Sequence, residues 1–152
     1  MSIMTRSALA ALVVFLAFAS VGCDERLSDI AGPTPNLQPT LSSIQREIFN
    51  TQDSSGRLAC IQCHTNVGRN PSGGLNLLEG QSFAALVGKP SLLKPGAILV
   101  MAGDPVNSYL IHKVEGASTI AGVRMPRGAG PFLTEGQISI IRRWIQLGAK
   151  ND

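Results

Sequence analysis

Residues 56–65 read Gly56-Arg57-Leu58-Ala59-Cys60-Ile61-Gln62-Cys63-His64-Thr65, and the core Cys60-x-x-Cys63-His64 governs how the rest of the chain is read. Two thiols three positions apart can reach two vinyl groups on adjacent edges of one porphyrin. The imidazole of the next residue then comes under the iron, which is the spacing of c-type haem attachment. The competing chemistries fit less well. A Cys60–Cys63 disulfide would close a very small loop and leave His64 without a role. A thioredoxin-like redox pair would want a βαβ setting, and a closed zinc site would want further ligands, for which His112 is the remaining histidine. Cys60, Cys63 and His64 are therefore expected to hold one covalent haem c, with His64 on the iron.

Export supports that reading, because this kind of haem attachment takes place outside the cytoplasm. Residues 1–7 carry Arg6 and no acid, Ala8 to Ala19 is almost unbrokenly apolar, and small residues lead to Cys23. The pattern is that of an export signal over residues 1–22. The apolar run is shorter than the ~20 residues that a membrane-spanning helix needs. It also lacks the polar face of a buried amphipathic helix. Ser20-Val21-Gly22-Cys23 resembles a bacterial lipobox, so Cys23 is expected to be lipidated. That places the protein on the periplasmic side of a bacterial membrane; the alternative is ordinary cleavage, giving a soluble periplasmic protein. The three cysteines then divide without remainder, Cys23 to lipid and Cys60 with Cys63 to haem.

Residues 23–40 contain Pro33, Pro35 and Pro39, which fix φ and interrupt regular structure, so this stretch reads as a semi-extended, lipid-anchored tether. Residues 41–152 form the expected domain. A first helix is expected from Leu41 to about Asn50, with Leu41, Ile44 and Ile48 on one face and Ser42 and Gln45 at capping-box spacing. A short helix should cover about Gln81 to Val87, followed by an apolar strand or buried coil at Ala97–Val100. Asp104-Pro105 should start a helix that Gly116 ends. The last helix should begin at a Thr134/Gln137 capping box, bury Ile138, Ile141, Trp144 and Ile145, and stop at Gly148.

The 13 Lys and Arg, of which Arg6 leaves with the signal, stand against 10 Asp and Glu. No like-charge block and no basic patch interleaved with aromatics occurs, so nucleic acid is not an expected partner.

Methionine ligation raises the potential of a haem iron, and the candidates for the sixth ligand are Met101, Met125 and His112. His112 should face solvent from the helix after Pro105, since Val106, Tyr109, Leu110 and Val114 cluster on another side. Met101 closes the apolar run Ile98-Leu99-Val100, where methionine commonly serves as core filler. Met125 lies in Gly122-Val123-Arg124-Met125-Pro126-Arg127-Gly128, a polar loop with no packing use for it. The following proline stiffens that loop and removes a backbone donor. Met125 is the expected distal ligand, with Met101 as its rival.

These residues together resemble a small class I type monohaem cytochrome c, and in detail the planctomycete-type cytochrome C domains. Cys60-Ile-Gln-Cys63-His64, Gly73-Gly74-Leu75-Asn76-Leu77 and Gly103-Asp104-Pro105 with Ser108 and Leu110 carry the likeness. Arg124-Met125-Pro126 and Trp144-Ile145 with Gly148-Ala149 complete it, over about residues 43–150. The resemblance implies an all-α fold, a small cytochrome c fold of three to five helices wrapping one covalent haem. It also implies Cys60, Cys63 and His64 as attachment and proximal ligand, and Met125 as distal ligand. Met101 stands where the family usually has proline, and Arg127 replaces a second proline after the ligand methionine.

The expected function is electron transfer rather than catalysis. A His/Met iron leaves no position for substrate, and no nucleophile–base or paired-carboxylate arrangement stands out. The alternative is an open or labile sixth position, giving a peroxidase-like haem enzyme or a gas or redox sensor. The partners would be redox proteins, with Arg124, Arg127, Arg142 and Arg143 either steering an acidic one or pairing with haem propionates.

Overall fold

The computed structural model describes residues 32–152; the expected export signal and the expected lipidation site Cys23 lie outside the described residues. The chain is mostly helical, and among the described residues its only β-type pairings are three isolated bridges. Among the described residues four α-helices occur in chain order: α1 (Leu41–Ile44), α2 (Ser82–Leu86), α3 (Tyr109–Glu115) and α4 (Glu135–Gln146).

α4 is the helix around which the rest packs. Its start follows the sequence signal: Thr134 accepts from the Gln137 backbone N–H while the Gln137 side chain accepts from the Thr134 N–H. This reciprocal cap satisfies two donors that a helix start leaves free. Ile138, Ile141, Trp144 and Ile145 recur at helical spacing and are all essentially buried. They join Ile44, Ile48 and Phe49 near α1 and Ile111 and Val114 of α3 in one core. The indole Nε1–H of Trp144 donates to the Lys150 carbonyl, so this buried donor is satisfied. Gly148, at φ 101°, ends the run with a backbone that other residues rarely adopt.

α1 differs from its expectation in two ways. Thr40, not the Ser42/Gln45 pair, supplies the cap, its hydroxyl accepting from Ser43 N–H. Gln45 is instead drawn inside, donating to the Leu77 carbonyl and to Asn50 Oδ1. The helix then widens into a π-turn over Gln45–Phe49, closed by Asn50 N–H donating to Gln45 O. The wider turn lets consecutive residues Ile48 and Phe49 both face inward.

α3 starts four residues later than the Asp104-Pro105 signal implied. The Asp104 carboxylate accepts from the Asn107 backbone N–H and side chain, which closes a turn rather than a helix. The Ser108 hydroxyl then donates to the Asp104 carbonyl and accepts from Met101 N–H. Tyr109, Ile111 and Val114 form the buried face, whereas Val106 is exposed, because it lies outside the helix and escapes its periodicity. Gly116 ends α3 as expected, in the left-handed conformation at φ 75°.

The packed unit reaches further back than Leu41. Thr34 and Leu37 are buried, and Gln137 Nε2 of α4 donates to Thr34 Oγ1. The proline-rich stretch therefore packs against the domain from residue 34 onward, anchored through Thr34 and Leu37 while Pro35, Asn36 and Gln38 stay exposed.

Candidate functional site

The Cys60–His64 segment is a tight turn. A 3-10 turn spans Cys60–Gln62, and the backbone N–H groups of Cys63 and His64 both donate to the Cys60 carbonyl. The following loop folds back on it: Ser72 N–H donates to Cys63 O and Leu77 N–H to His64 O. Gly73 and Gly74 make that return possible, both at positive φ. At Gly74 a Cβ would also lie 2.4 Å from Leu92 Cδ1, a distance at which one of the two must move.

This loop fixes the state of His64. Its Nδ1 lies 2.9 Å from the Ser72 carbonyl, which can only accept. Nδ1 therefore carries the proton, and Nε2 is left as the unprotonated, ligand-competent nitrogen. Burial pushes the imidazole below its ordinary pKa, outweighing the backbone hydrogen bonds that act the other way. A neutral ring at neutral pH follows.

The turn rests on a residue that the motif did not mark. Arg57 is fully buried and ion-paired to Asp53, with Nε 2.9 Å from Oδ2. Its remaining donors reach the Ile48, Leu58, Glu47 and Thr51 carbonyls, tying the π-turn to the strand of chain that enters Cys60. Burial pushes the Asp53 carboxyl up, but hydrogen bonds from Ser55, Gln137 and Arg57, with the Arg57 charge, hold it below the usual range. The i, i+4 spacing of Asp53 and Arg57 was the available sequence signal. It carried little weight in a stretch with no helical pattern.

Cys60 and Cys63 are both free thiols, Cys60 partly buried and Cys63 exposed. Burial, the dominant influence, pushes the Cys60 thiol up to about 11. Its sulfur lies 3.7 Å from the Ile48 carbonyl of the π-turn. Among the described residues no three His, Cys, Asp or Glu side chains gather as a cation site, so no zinc-type ligand set forms around these cysteines.

The two cysteines and His64 open onto one cavity of about 730 Å³. Cys60, Cys63 and His64 line it, and so does Met125. The walls are mainly apolar, including Ile48, Phe49, Leu77, Leu86, Val114 and Ile141. The charged residues on the lining are Lys89, Lys113 and Arg127, with no carboxylate among them. Such a chamber suits a large apolar guest that carries negative charge, and it offers that guest two thiols, one imidazole nitrogen and one thioether.

The other sequence candidates lie elsewhere. Met101 is not on the cavity lining; it sits at a turn bridged to Asp104 and is partly exposed. His112 is also off the lining, its Nε2 paired with the Val106 carbonyl at 2.8 Å. The four arginines do not share one face of the cavity. Arg127 lines it, whereas Arg142 is ion-paired to Glu115 and Arg143 reaches Gln146. Arg124 donates to the Val114 carbonyl and lies over the Phe132 ring, 4.2 Å from its centroid. Lys89 and Lys113 were not singled out in sequence, where an isolated lysine reads as a solvated side chain.

Comparison with protein-family models, curated proteins and solved structures returned no match.

Proposed function

We propose that this protein is an exported electron carrier, a monohaem c-type cytochrome with His64 and Met125 as iron ligands and a small cytochrome c fold. The observation that carries the reading is the single cavity lined by Cys60, Cys63, His64 and Met125 together. Residues 61 positions apart in the chain, His64 and Met125, thereby line one chamber, while Met101 does not.

The residues fit a haem in three further respects. The chamber is apolar enough for a porphyrin, and Lys89 and Arg127 on its lining would supply positive charge for the two propionates. The proton on Nδ1 of His64 leaves Nε2 as the donor to iron, in the way that a second hydrogen bond commonly orients a metal-bound histidine. The thiols of Cys60 and Cys63 would add across the two vinyl groups, each S–H giving a thioether.

The bound haem supplies a one-electron ferric/ferrous couple, whose potential methionine ligation raises. The chain's own residues keep that couple tuned. The apolar walls would keep water from it, and Met125 would fill the position that a substrate would need. Lipidation at Cys23 would hold the domain at the periplasmic side of a bacterial membrane, where redox proteins would be its partners. Among the described residues no helix is long and apolar enough to cross a membrane.

The test is expression of the full chain in a bacterium that attaches haem in its periplasm, followed by acid–organic extraction. Haem should stay with the protein, and the peptide containing residues 60–64 should carry its mass. Haem that extracts freely would overturn covalent attachment. A five-coordinate ferrous spectrum with ready carbon monoxide binding would favour the open-iron enzyme or sensor.

A further inference from the structure

We propose that Lys113 and Arg124 are positioning residues for the distal sulfur, a pair of cationic clips that hold the Met125 loop onto α3 and keep the sixth position closed. The inference rests on the assignment of Met125 given above.

Residues 117–128 contain no helix or strand, so the placement of Met125 depends on individual hydrogen bonds. The backbone N–H of Met125 donates to the Lys113 carbonyl at 2.9 Å. The Lys113 ammonium reaches out in turn, donating to the Ala121 carbonyl at 2.9 Å and to the Val123 carbonyl. One residue thus grips the loop on both sides of the bend that leads to Met125. Arg124 makes the reciprocal contact. It leaves the loop and donates from Nε to the Val114 carbonyl at 2.8 Å, with its guanidinium over Phe132.

The crossing is built into the helix end. At Gly116 a Cβ would lie 2.8 Å from Arg124 Cδ, so the residue that ends α3 also makes room for the Arg124 side chain. Tyr109, at the start of α3, adds a third tie by accepting from the Ala121 N–H. Among the described residues neither Lys113 nor Arg124 has an acidic ion-pair partner. Both charges are committed to main-chain carbonyls and an aromatic face. A hydrogen bond from a charged donor is stronger than a neutral one, and an apolar replacement removes these ties between loop and helix, two of them part-buried.

The experiment uses the full, haem-loaded protein and reads the near-infrared charge-transfer band of the ferric haem–methionine bond, the carbon monoxide affinity of the ferrous form, and the midpoint potential. Lys113→Leu should lose most of the band and bind carbon monoxide about tenfold more tightly, since each lost charged hydrogen bond is worth about a factor of ten or more. Covalent haem and far-ultraviolet circular dichroism should stay native. Arg124→Leu should shift the same readouts in the same direction, and it carries the test alone if Lys113→Leu fails to mature. Lys113→Arg and Arg124→Lys should restore the band, and the exposed Arg143→Leu should leave it unchanged. Native band intensity in both leucine variants overturns the clip while leaving Met125 as ligand. A native protein without the band overturns the Met125 assignment itself, and the clip with it.

Discussion

The two sides of the cavity are built on different principles. On the Cys60–His64 side the backbone is over-determined. The turn closes on its own carbonyls, a glycine loop folds back to fix His64, and the fully buried Arg57 ties the turn to the π-helical end of α1. On the Met125 side a long irregular segment is held by a few bonds, several of them from side chains that cross between loop and helix. The first side suits permanent attachment. The second suits a ligand whose bond can be strengthened, weakened or exchanged, so changes on the two sides should fail in different ways.

The largest expected effect comes from removing both attachment points. Cys60→Ala with Cys63→Ala should abolish covalent haem, and extraction should recover all of it in the organic phase. A fraction that remains bound would place another attachment residue on this side.

Arg57→Met comes next, because it leaves Asp53 buried without its charge partner. Breaking such a pair costs about 3–5 kcal/mol, which chemical denaturation of the native and variant proteins should reveal. The acid limb gives a second reading. The Asp53 carboxyl is held below its ordinary value, so its contribution is present above the unfolded-state pKa and is lost as pH falls through the folded-state value. The native protein should therefore lose stability below about pH 4. The gap between native and Arg57→Met should narrow there; a constant gap at all pH values would show that Asp53 is not the group involved.

Thr134→Ala removes the hydroxyl that caps α4 and should cost about 1 kcal/mol. It should leave the spectrum of either side unaltered, since α4 is common scaffold to both. Arg127→Glu is the smallest in stability and acts on kinetics. It inverts a charge at the cavity lining and should weaken the salt dependence of electron transfer to an acidic partner. An unchanged salt dependence would assign Arg127 to the haem propionates alone.

The same contrast explains what could be read in the sequence. The Cys60-x-x-Cys63-His64 spacing was readable because its residues are adjacent in the chain, and they fold into one turn on the cavity wall. α4 was legible for a similar reason: the Thr134/Gln137 cap and the isoleucine stripe both act within a few residues. The start of α3 was misread because an aspartate before proline caps a turn as well as a helix. Only the burial of Ser108 beneath that turn decides between them. Residues 34–40 looked like free tether because proline content speaks to the backbone and not to whether Leu37 finds a core. Lys113 and Arg124 were the least legible. Nothing in their spacing distinguishes a solvated cation from one that holds a loop 8–10 residues away. Met125 was singled out because a methionine in a polar loop has no packing role, and the geometry adds that it lines the cavity with His64.

The most direct test of the central claim is the near-infrared spectrum of the ferric native protein alongside Met101→Ala and Met125→Ala. The haem–methionine band is expected in the native protein and in Met101→Ala, and it should be lost completely in Met125→Ala with covalent haem retained. A band that is missing from the native protein, or that disappears with Met101 instead, would contradict that claim.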